Sequence, residues 1–274
     1  MVIYLEISIG YNVRQSNQAS NLDAALMTVP QEKFHSMKGG ILSDIQATER
    51  VRYVQEMFTR IAPRYDLMNR LMTFGQDITW RRQVLRCAHL TSGSLLLDLG
   101  AGTGDLAREA LHQCPDAHVI AADFTLGMMT LGQSRSAPGD LSWSAADARS
   151  LPFPDRTFDA VVSGFLLRNV TDLPRSLAEQ YRVLKPGGRF VALDTTPPPE
   201  NLLAPFIRIH LHTVIPTLGR LIAGQAEAYQ YLPDTTEHFL APERLAARLV
   251  AAGFSHVGYM RLMLGTIAIH WGVK

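Results

Sequence analysis

The sequence predicts an α/β fold in which a doubly wound, mostly parallel sheet carries helices on both faces. Two observations support this fold class. From residue 95 onward, short apolar runs typical of strands buried on both faces alternate with helical segments. A glycine-rich turn at residues 100–104 follows the first apolar run, at the position where open α/β sheets bind ligands.

The predicted strands and helices follow one another along the chain. Five strands are expected at residues 95–98, 119–123, 141–144, 158–163 and 189–194, and two closing strands at 257–264 and 266–271. Helices are expected at 105–112, 127–133, 171–184 and 241–252. The Lys-Pro-Gly-Gly segment at 185–188 is a strong stop signal before the fifth strand. The pattern therefore predicts seven strands.

The flanking segments add helices to this core. Residues 49–90 show helical spacing and are expected to form a helical lid, with Pro63 ending its first helix and a second beginning at Tyr65. Three prolines at 197–199 begin an apolar helical insertion that extends to about residue 232. Residues 1–45 are rich in polar residues and lack periodicity, which predicts a poorly ordered extension. Residues 46–274 are expected to form a single domain.

Composition excludes several classes of protein. The formal net charge is +1, so a nucleic-acid partner is not expected. Two cysteines and scattered histidines give neither a disulfide framework nor a metal site, which favours a cytoplasmic protein without a metal. The longest apolar stretch, residues 201–224, is interrupted by arginines and histidines and is not expected to cross a bilayer. Peripheral contact with a membrane and a homodimer stay open.

The glycine turn has the spacing Gly100-x-Gly102-x-Gly104 and is followed by Asp105. Dinucleotide-binding folds place their third glycine where this chain has Asp105, so a pyrophosphate ligand is disfavoured. An acidic side chain suits a cationic ligand instead. S-adenosylmethionine carries a sulfonium and an amino group and no phosphate, and it fits this pattern.

Polar residues follow the next strands at the same edge of the sheet. Asp123 ends the second strand and is expected to accept the ribose hydroxyls of the ligand. Asp147 and Ala148 follow the third strand and are expected to meet an adenine ring, and Ser163 ends the fourth strand. Helix capping is the alternative role for the two aspartates.

Three segments give the chain a specific resemblance. Two are selective, Tyr65-Asp66-Leu67-Met68-Asn69 and Arg168-Asn169-Val170-Thr171-Asp172, whereas the third, Arg182-Val183-Leu184-Lys185-Pro186-Gly187-Gly188, is widespread among class I methyltransferases. On these motifs the chain resembles the C-methyltransferases of menaquinone and ubiquinone biosynthesis (MenG/UbiE type), over a stretch from about residue 49 to the end. It departs from the family pattern at Thr73, Asp77 and Asp194-Thr195-Thr196, where serine, histidine and Glu-x-Ser are usual.

The resemblance implies a Rossmann-like class I fold and methyl transfer from S-adenosylmethionine to a ring carbon of a polyprenyl hydroquinone. Demethylmenaquinol is the preferred acceptor, and a ubiquinone precursor or another small or lipid acceptor stays open. The donor site implied by the match consists of Asp98, Gly100, Gly102, Thr103, Asp123, Phe124, Asp147, Ala148 and Ser163.

The acceptor site is expected beside the fourth strand. Arg168 would stabilise the developing phenolate, and Asn169 would orient the ring. Tyr65 and Asn69 would close over the acceptor from the lid, with Phe165 as a further contact. The alternatives are helix packing for Tyr65 and Asn69, and a salt bridge with Asp172 for Arg168.

The insertion offers a further hypothesis. Apolar residues within 202–222 would line a tunnel for an isoprenoid tail or would form an ordinary core helix, and the sequence favours neither. His210 and His212 are expected at the surface or in the core. The sequence disfavours two other classes of function. Asp105 argues against a nicotinamide-dependent oxidoreductase, and the complete donor site argues against a catalytically silent binding module.

Overall fold

The computed structural model describes residues 47–137, 139, 141–200, 202–223 and 226–274. The predicted extension, residues 1–45, lies outside the described residues. Seven strands form one sheet: β1 (Leu95–Leu99), β2 (His118–Asp123), β3 (Ser142–Ala145), β4 (Phe158–Gly164), β5 (Leu184–Thr195), β6 (Ser255–Leu262) and β7 (Ile267–Val273). Their spatial order is β3-β2-β1-β4-β5-β7-β6, with β1 to β5 parallel to one another and β7 antiparallel to both of its neighbours, β5 and β6. This sheet confirms the predicted fold class.

The helices surround this sheet. They are α1 (Ala47–Met72), α2 (Gln76–Ala88), α3 (Asp105–Gln113), α4 (Leu126–Ser134), α5 (Leu173–Val183), α6 (Ala204–Ile209), α7 (Ile215–Leu218), α8 (Ala226–His238) and α9 (Pro242–Ala251). Short 3-10 turns occur at Leu167–Asn169 and Met263–Gly265, and π-helical turns at His210–Val214 and Gly219–Ala223.

The core lies on both faces of the sheet. Neighbouring residues of one strand point to opposite faces, so Leu96 packs with residues of α2 and α3 while Leu97 packs with residues of α5 and α9. Both leucines are fully buried. Such two-sided burial explains why the central strands consist of continuous apolar runs.

The predicted break at Pro63 is wrong, because α1 runs uninterrupted from Ala47 to Met72. A proline inside a helix removes one backbone hydrogen bond and costs about 3 kcal/mol. Met57 and Ile61 before Pro63, and Met68 after it, are all buried. Packing on both sides of the proline therefore outweighs its local cost.

Several strand boundaries differ from the predicted ones. β5 begins at Leu184, five residues before the predicted start, because Leu184 pairs with Phe158 and the Gly187 N–H donates to the Lys274 carbonyl at 2.9 Å. The stop signal ends α5 as predicted, but its residues continue directly into the strand. β3, β6 and β7 are displaced by one or two residues from the predicted ranges.

The insertion after β5 is a succession of short helices. Pro205 and Pro216 lie in the first turns of α6 and α7, where a missing N–H costs little. Ile207, Leu211 and Ile215 are buried along one side. The helical structure extends beyond the predicted end near residue 232, since α8 continues to His238 with Pro233 inside it.

Candidate functional site

The glycine turn after β1 has a backbone that side chains would not allow. Gly100 and Gly104 adopt φ angles of +73° and +85°, in the left-handed region that glycine enters without penalty. A Cβ on Gly100 would lie 2.9 Å from Leu166, and one on Gly104 would lie 2.8 Å from the ring of Trp143. The turn therefore needs glycine both for its conformation and for its close packing.

A cavity of about 140 Å³, the loop cavity, opens beside this turn at the carboxyl ends of β1, β2 and β4. Six of the nine predicted donor-site residues line it: Gly100, Gly102, Asp123, Phe124, Asp147 and Ala148. The other three, Asp98, Thr103 and Ser163, are buried close to the same strand ends and do not line it. The structure therefore brings six of the nine predicted residues together on the wall of one cavity.

Asp123 joins the end of β2 to the glycine turn. Its carboxylate accepts the N–H of Gly102 at 2.7 Å and that of Thr125 at 2.6 Å. Burial raises the pKa of Asp123, and these N–H groups act against the rise. Each carboxylate oxygen has a second lone pair, so the side chain can also accept hydroxyl groups from a ligand.

Asp98 supplies a second buried carboxyl group under the turn. It is 1% exposed, and neither oxygen has a well-aligned hydrogen bond within the described part of the chain, although the backbone N–H of Ala107 lies close enough to act on its pKa. Burial, together with the charges of Asp123 and Asp105, raises the pKa of Asp98 to about 7. An unpaired buried carboxyl is stabilised by a nearby cation, which a sulfonium ligand would provide.

Asp105, whose charge suggested a cationic ligand, does not line the loop cavity. Its carboxylate pairs with Arg108 at 2.6 Å and lies 3.6 Å from Arg81. The direct acidic contact with the cavity comes from Asp123 and Asp147 instead.

Asp147 is held by an arginine that the sequence analysis did not identify. Arg149 lies against both oxygens of Asp147, with its Nη2 at 2.7 Å, and also donates to Thr171 at 3.0 Å. These bonds lower the pKa of Asp147, which therefore stays ionised. The pair fixes the far wall of the loop cavity, and Arg149 itself lines the cavity.

Helix α1 covers the loop cavity. The side chain of Gln55 donates to the Phe124 carbonyl at 2.9 Å, and the Thr103 hydroxyl donates to Asp66 at 3.0 Å. Asp66 also forms an ion pair with Arg135 at the end of α4. Thr103 therefore ties the glycine turn to α1 rather than facing the cavity.

A second cavity, the insertion cavity, has a volume of about 260 Å³ and is bounded by α1, the insertion and the ends of β5 and β7. Most of its lining residues are apolar, and no aspartate or glutamate is among the described residues that line it. Phe58, Tyr65 and Phe165 line both cavities, so the two cavities adjoin at these side chains.

Arg168 lines the insertion cavity and pairs with Asp194, not with Asp172 as the alternative interpretation proposed. Its Nη1 donates to Asp194 at 2.5 Å, and its backbone N–H donates to the same carboxylate at 3.2 Å. Their side chains are 6% and 2% exposed. Asp172 instead caps α5 by accepting the N–H of Arg175.

The guanidinium of Arg168 retains a donor for a ligand. Its carbon lies 5.1 Å from the centre of the Phe165 ring, and its Nε has no hydrogen-bond partner among the described residues. A buried donor without an acceptor is costly, so this N–H is suited to a ligand oxygen in the cavity.

The other predicted acceptor residues are close by but face different spaces. Asn169 lines the loop cavity, where it accepts from the Tyr231 hydroxyl and donates to the Phe165 carbonyl, both at 3.0 Å. Asn69 lines the insertion cavity, and its amide lies beside Tyr65. Burial raises the pKa of Tyr65, although Arg168 acts in the opposite direction. Tyr65 therefore acts as a hydrogen-bond donor at neutral pH.

The insertion contributes residues that the sequence analysis did not place in the site. His210 lines the insertion cavity, stacks on Phe74 and contacts the Met72 carbonyl at 3.2 Å, whereas His212 pairs with Glu237 outside it. Tyr229 also lines the cavity. Tyr229 lies within the stretch that resembles the family, but the local sequence does not show which way its side chain faces.

Known proteins that are similar to this chain in sequence or structure are methyltransferases. A family model described as the ubiE/COQ5 methyltransferase family matches residues 45–274. A ubiquinone/menaquinone biosynthesis C-methyltransferase UbiE from Desulfotalea psychrophila is 49% identical over 221 residues, covering 81% of this chain and 90% of the relative. A demethylmenaquinone methyltransferase from Thermus thermophilus is 46% identical over 218 residues, covering 79% of this chain and 99% of the relative. The crystal structure of a SAM-dependent methyltransferase from Thermotoga maritima is similar with a TM-score of 0.58 at 18% identity, covering 80% of this chain and 99% of that one.

Replacing Asp98 by asparagine is expected to remove a pH dependence of S-adenosylmethionine binding. With a pKa of about 7, the free carboxyl is protonated at lower pH and loses its attraction for a cation. The dissociation constant of the parent should therefore rise by up to about tenfold per pH unit below pH 7. Calorimetry across this range measures it.

The Asp98→Asn variant should bind weakly at every pH, and Asp116→Asn, which changes an exposed carboxylate, should behave like the parent. A parent affinity that stays constant below neutral pH would contradict a role for Asp98.

Proposed function

Because the chain belongs to the ubiE/COQ5 methyltransferase family, we propose that it methylates a ring carbon of a polyprenyl hydroquinone, with demethylmenaquinol as the preferred acceptor. The chain is an S-adenosylmethionine-dependent methyltransferase, as its family shows. The acceptor is inferred from the names of its relatives and from the site. C-methylation of a ubiquinone precursor is the second candidate, since the D. psychrophila relative is named for both pathways.

One observation carries the proposal: the loop cavity and the insertion cavity adjoin at three aromatic side chains, Phe58, Tyr65 and Phe165, which line both of them. The loop cavity carries the carboxylates that suit the donor, with its sulfonium, ribose and adenine. The insertion cavity is apolar, which suits a naphthalene ring with an isoprenoid tail. A donor in the loop cavity and an acceptor in the insertion cavity would then meet beside Tyr65 and Phe165.

Methyl transfer to carbon needs an electron-rich ring. S-adenosylmethionine, when bound, would supply the methyl group and leave as a neutral thioether. The protein would stabilise the phenolate that forms when the neighbouring hydroxyl loses its proton, and that proton and the ring proton replaced by the methyl group would be released to solvent. The protein therefore has to stabilise an oxyanion and exclude water.

Arg168 is the residue best placed to stabilise the phenolate. Its charge is held in an apolar cavity by Asp194, so its position is fixed before the reaction begins. Its unpaired Nε–H is available to the ring oxygen. Asp194 has no role at the ring itself: it holds Arg168 in place.

Tyr65 and the two asparagines orient the reactants. Tyr65 stays protonated and donates at the wall between the cavities, and Asn69 contributes an amide on the acceptor side. Asn169 faces the donor side and is fixed by Tyr231. Phe165 supports both the Arg168 guanidinium and the acceptor ring.

We infer that the insertion both forms part of the core and lines a path for the isoprenoid tail, the two alternatives that the sequence left open. Ile207, Leu211 and Ile215 are buried and line the insertion cavity, as core residues and as a path for the isoprenoid tail. Outside the cavity lining, Leu202 is 94% exposed and Ile209 56% exposed. Such exposed apolar residues favour peripheral contact with a membrane, from which a lipid acceptor can enter.

None of the helices in the described part of the chain combines the length and apolarity required to span a bilayer. The same described residues contain no group of three or more histidine, cysteine or acidic side chains placed to hold a metal ion.

The purified protein, incubated with labelled S-adenosylmethionine, should methylate demethylmenaquinol. Mass spectrometry of the extracted lipid should show the naphthoquinol gaining one CH₂, and a demethoxy-type benzoquinol should react more slowly. Label in neither quinol, with transfer to some other acceptor, would show that the proposed acceptor is wrong.

Replacing Arg168 should separate its catalytic effect from its structural one. Arg168→Gln leaves Asp194 buried and unpaired and should reduce the free energy of unfolding by about 3–5 kcal/mol. The double variant Arg168→Gln with Asp194→Asn should recover most of that stability. Both should lose about 100-fold or more in kcat, while S-adenosylmethionine still binds.

Arg261→Gln, which removes an exposed arginine paired with Glu243, is the matched control and should retain turnover. A stable double variant with parental kcat would show that Arg168 does not stabilise the phenolate.

Membrane contact should depend on the exposed apolar residues of the insertion that lie outside the cavity. The double variant Leu202→Ser with Ile209→Ser should bind vesicles of phosphatidylcholine and phosphatidylglycerol about tenfold more weakly than the parent, because apolar area is lost. Flotation measures it. Val250→Ser changes another exposed apolar residue, on α9, and should bind vesicles like the parent. Equal flotation of the parent, the double variant and Val250→Ser would contradict membrane contact through the insertion.

A further inference from the structure

Asp66 is the charged residue of the selective segment at 65–69, and it lines neither cavity. It follows Tyr65, which lines both of them. Two groups from other parts of the chain hold its carboxylate. The Thr103 hydroxyl lies 3.0 and 3.2 Å from its two oxygens, and the Arg135 guanidinium forms an ion pair with one of them. Asp66 therefore joins α1 to the glycine turn and to the end of α4.

Helix α1 contacts the segment of α4 at three places that follow the same order along both. The three contacts are Gln55 with Phe124, Thr59 with Gly127 and Asp66 with Arg135. The two helices therefore run side by side in the same direction, and we call their line of contact the α1–α4 seam. A Cβ on Gly127 would lie 2.6 Å from Cγ2 of Thr59, so the helices approach each other closely there.

The α1–α4 seam borders the loop cavity. Gln55 and Phe124 both line this cavity, so the hydrogen bond of 2.9 Å between them lies at its edge. Val54, Phe58 and Tyr65 of α1 line the cavity as well. A ligand in the loop cavity is therefore covered by α1 for as long as the seam stays closed.

The two sides of α1 differ in what holds them. On one side, Met57, Ile61 and Met68 are buried. In the seam, the side chains of Arg135 and Asp66 are 35% and 15% exposed, so water and salt can reach their ion pair. Exposing buried apolar area costs far more than breaking an ion pair that water can reach. The loop cavity therefore opens at the lowest cost along the seam, where Asp66 holds it closed.

We propose that Asp66 is a positioning residue that holds α1 against α4 over the bound donor, so that its ion pair with Arg135 slows release of the thioether product. The inference rests on the proposed placement of the donor in the loop cavity and does not depend on which acceptor is methylated. Enzymes often close an element over a bound ligand, and its reopening then limits release.

The test measures how fast S-adenosylhomocysteine, the thioether product, leaves the full-length protein. The protein is loaded with labelled compound and chased with an excess of unlabelled compound. Asp66→Asn and Arg135→Gln should each release the label about two- to fivefold faster than the parent, as expected for loss of a partly exposed ion pair. The double variant should release it no faster than Asp66→Asn alone, because both substitutions remove the same pair.

Salt dependence separates the ion pair from a general loss of structure. Raising the salt concentration to about 0.5 M should speed release from the parent toward the rate of Arg135→Gln, because salt screens a pair that solvent can reach. Release from Arg135→Gln should change little with salt. S-adenosylhomocysteine carries no net charge at neutral pH, which keeps the direct effect of salt on the ligand small.

Arg52→Gln is the matched control, because it removes an exposed ion pair with Glu56 on the same helix. It should keep the parental release rate and the parental salt dependence. The Tm of Asp66→Asn, Arg135→Gln and Arg52→Gln should stay close to that of the parent, since partly exposed pairs contribute little to stability.

Parental release rates in Asp66→Asn and Arg135→Gln would overturn the inference, and so would release from the parent that does not respond to salt. Asp123→Ala tests the placement of the donor separately, because it removes a carboxylate from the wall of the loop cavity. Unchanged affinity in Asp123→Ala would contradict that placement itself. Weaker binding in Asp123→Ala, together with parental release from Asp66→Asn, would contradict only the role of Asp66.

Discussion

Burial of charge at the carboxyl edge of the sheet is the constraint around which this site is built. Asp98, Asp123 and Asp194 lie at the ends of β1, β2 and β5, and each is almost fully buried. Water does not stabilise these carboxylates, so each needs a backbone N–H, a guanidinium or a cationic ligand. Asp123 receives an N–H from the glycine turn and Asp194 receives Arg168, whereas the buried oxygens of Asp98 have no hydrogen-bond partner among the described residues.

The donor half of the site could be predicted from the sequence because its signals are local. Apolar runs followed by glycine or aspartate mark strand ends, and parallel strands bring those ends to one edge. That reasoning located Gly100, Asp123 and Asp147 on the wall of one cavity. Asp194 also follows an apolar run at the end of the predicted fifth strand, but in the sequence it stands out only as a departure from the family pattern.

The acceptor half depends on contacts between distant parts of the chain. Arg168 meets Asp194 because β4 pairs with β5 in parallel, with Gly164 opposite Leu193. The sequence does not show this pairing, and the local spacing favours Asp172, four residues away, as the partner of Arg168. Pro63 suggested a break because its cost is local, whereas the packing that keeps α1 continuous is not. Tyr229 could not be placed, since the orientation of α8 depends on its packing against Gly219 and the rest of the insertion.

Helix α1 forms part of the wall of both cavities and is tied to the glycine turn by Asp66. The two reactants therefore share one boundary, through which their binding equilibria can be linked. If an occupied loop cavity steadies α1 and so tightens the acceptor, the acceptor must tighten the nucleoside by the same factor. Release of the thioether product and binding of the next quinol are then thermodynamically coupled and do not occur independently.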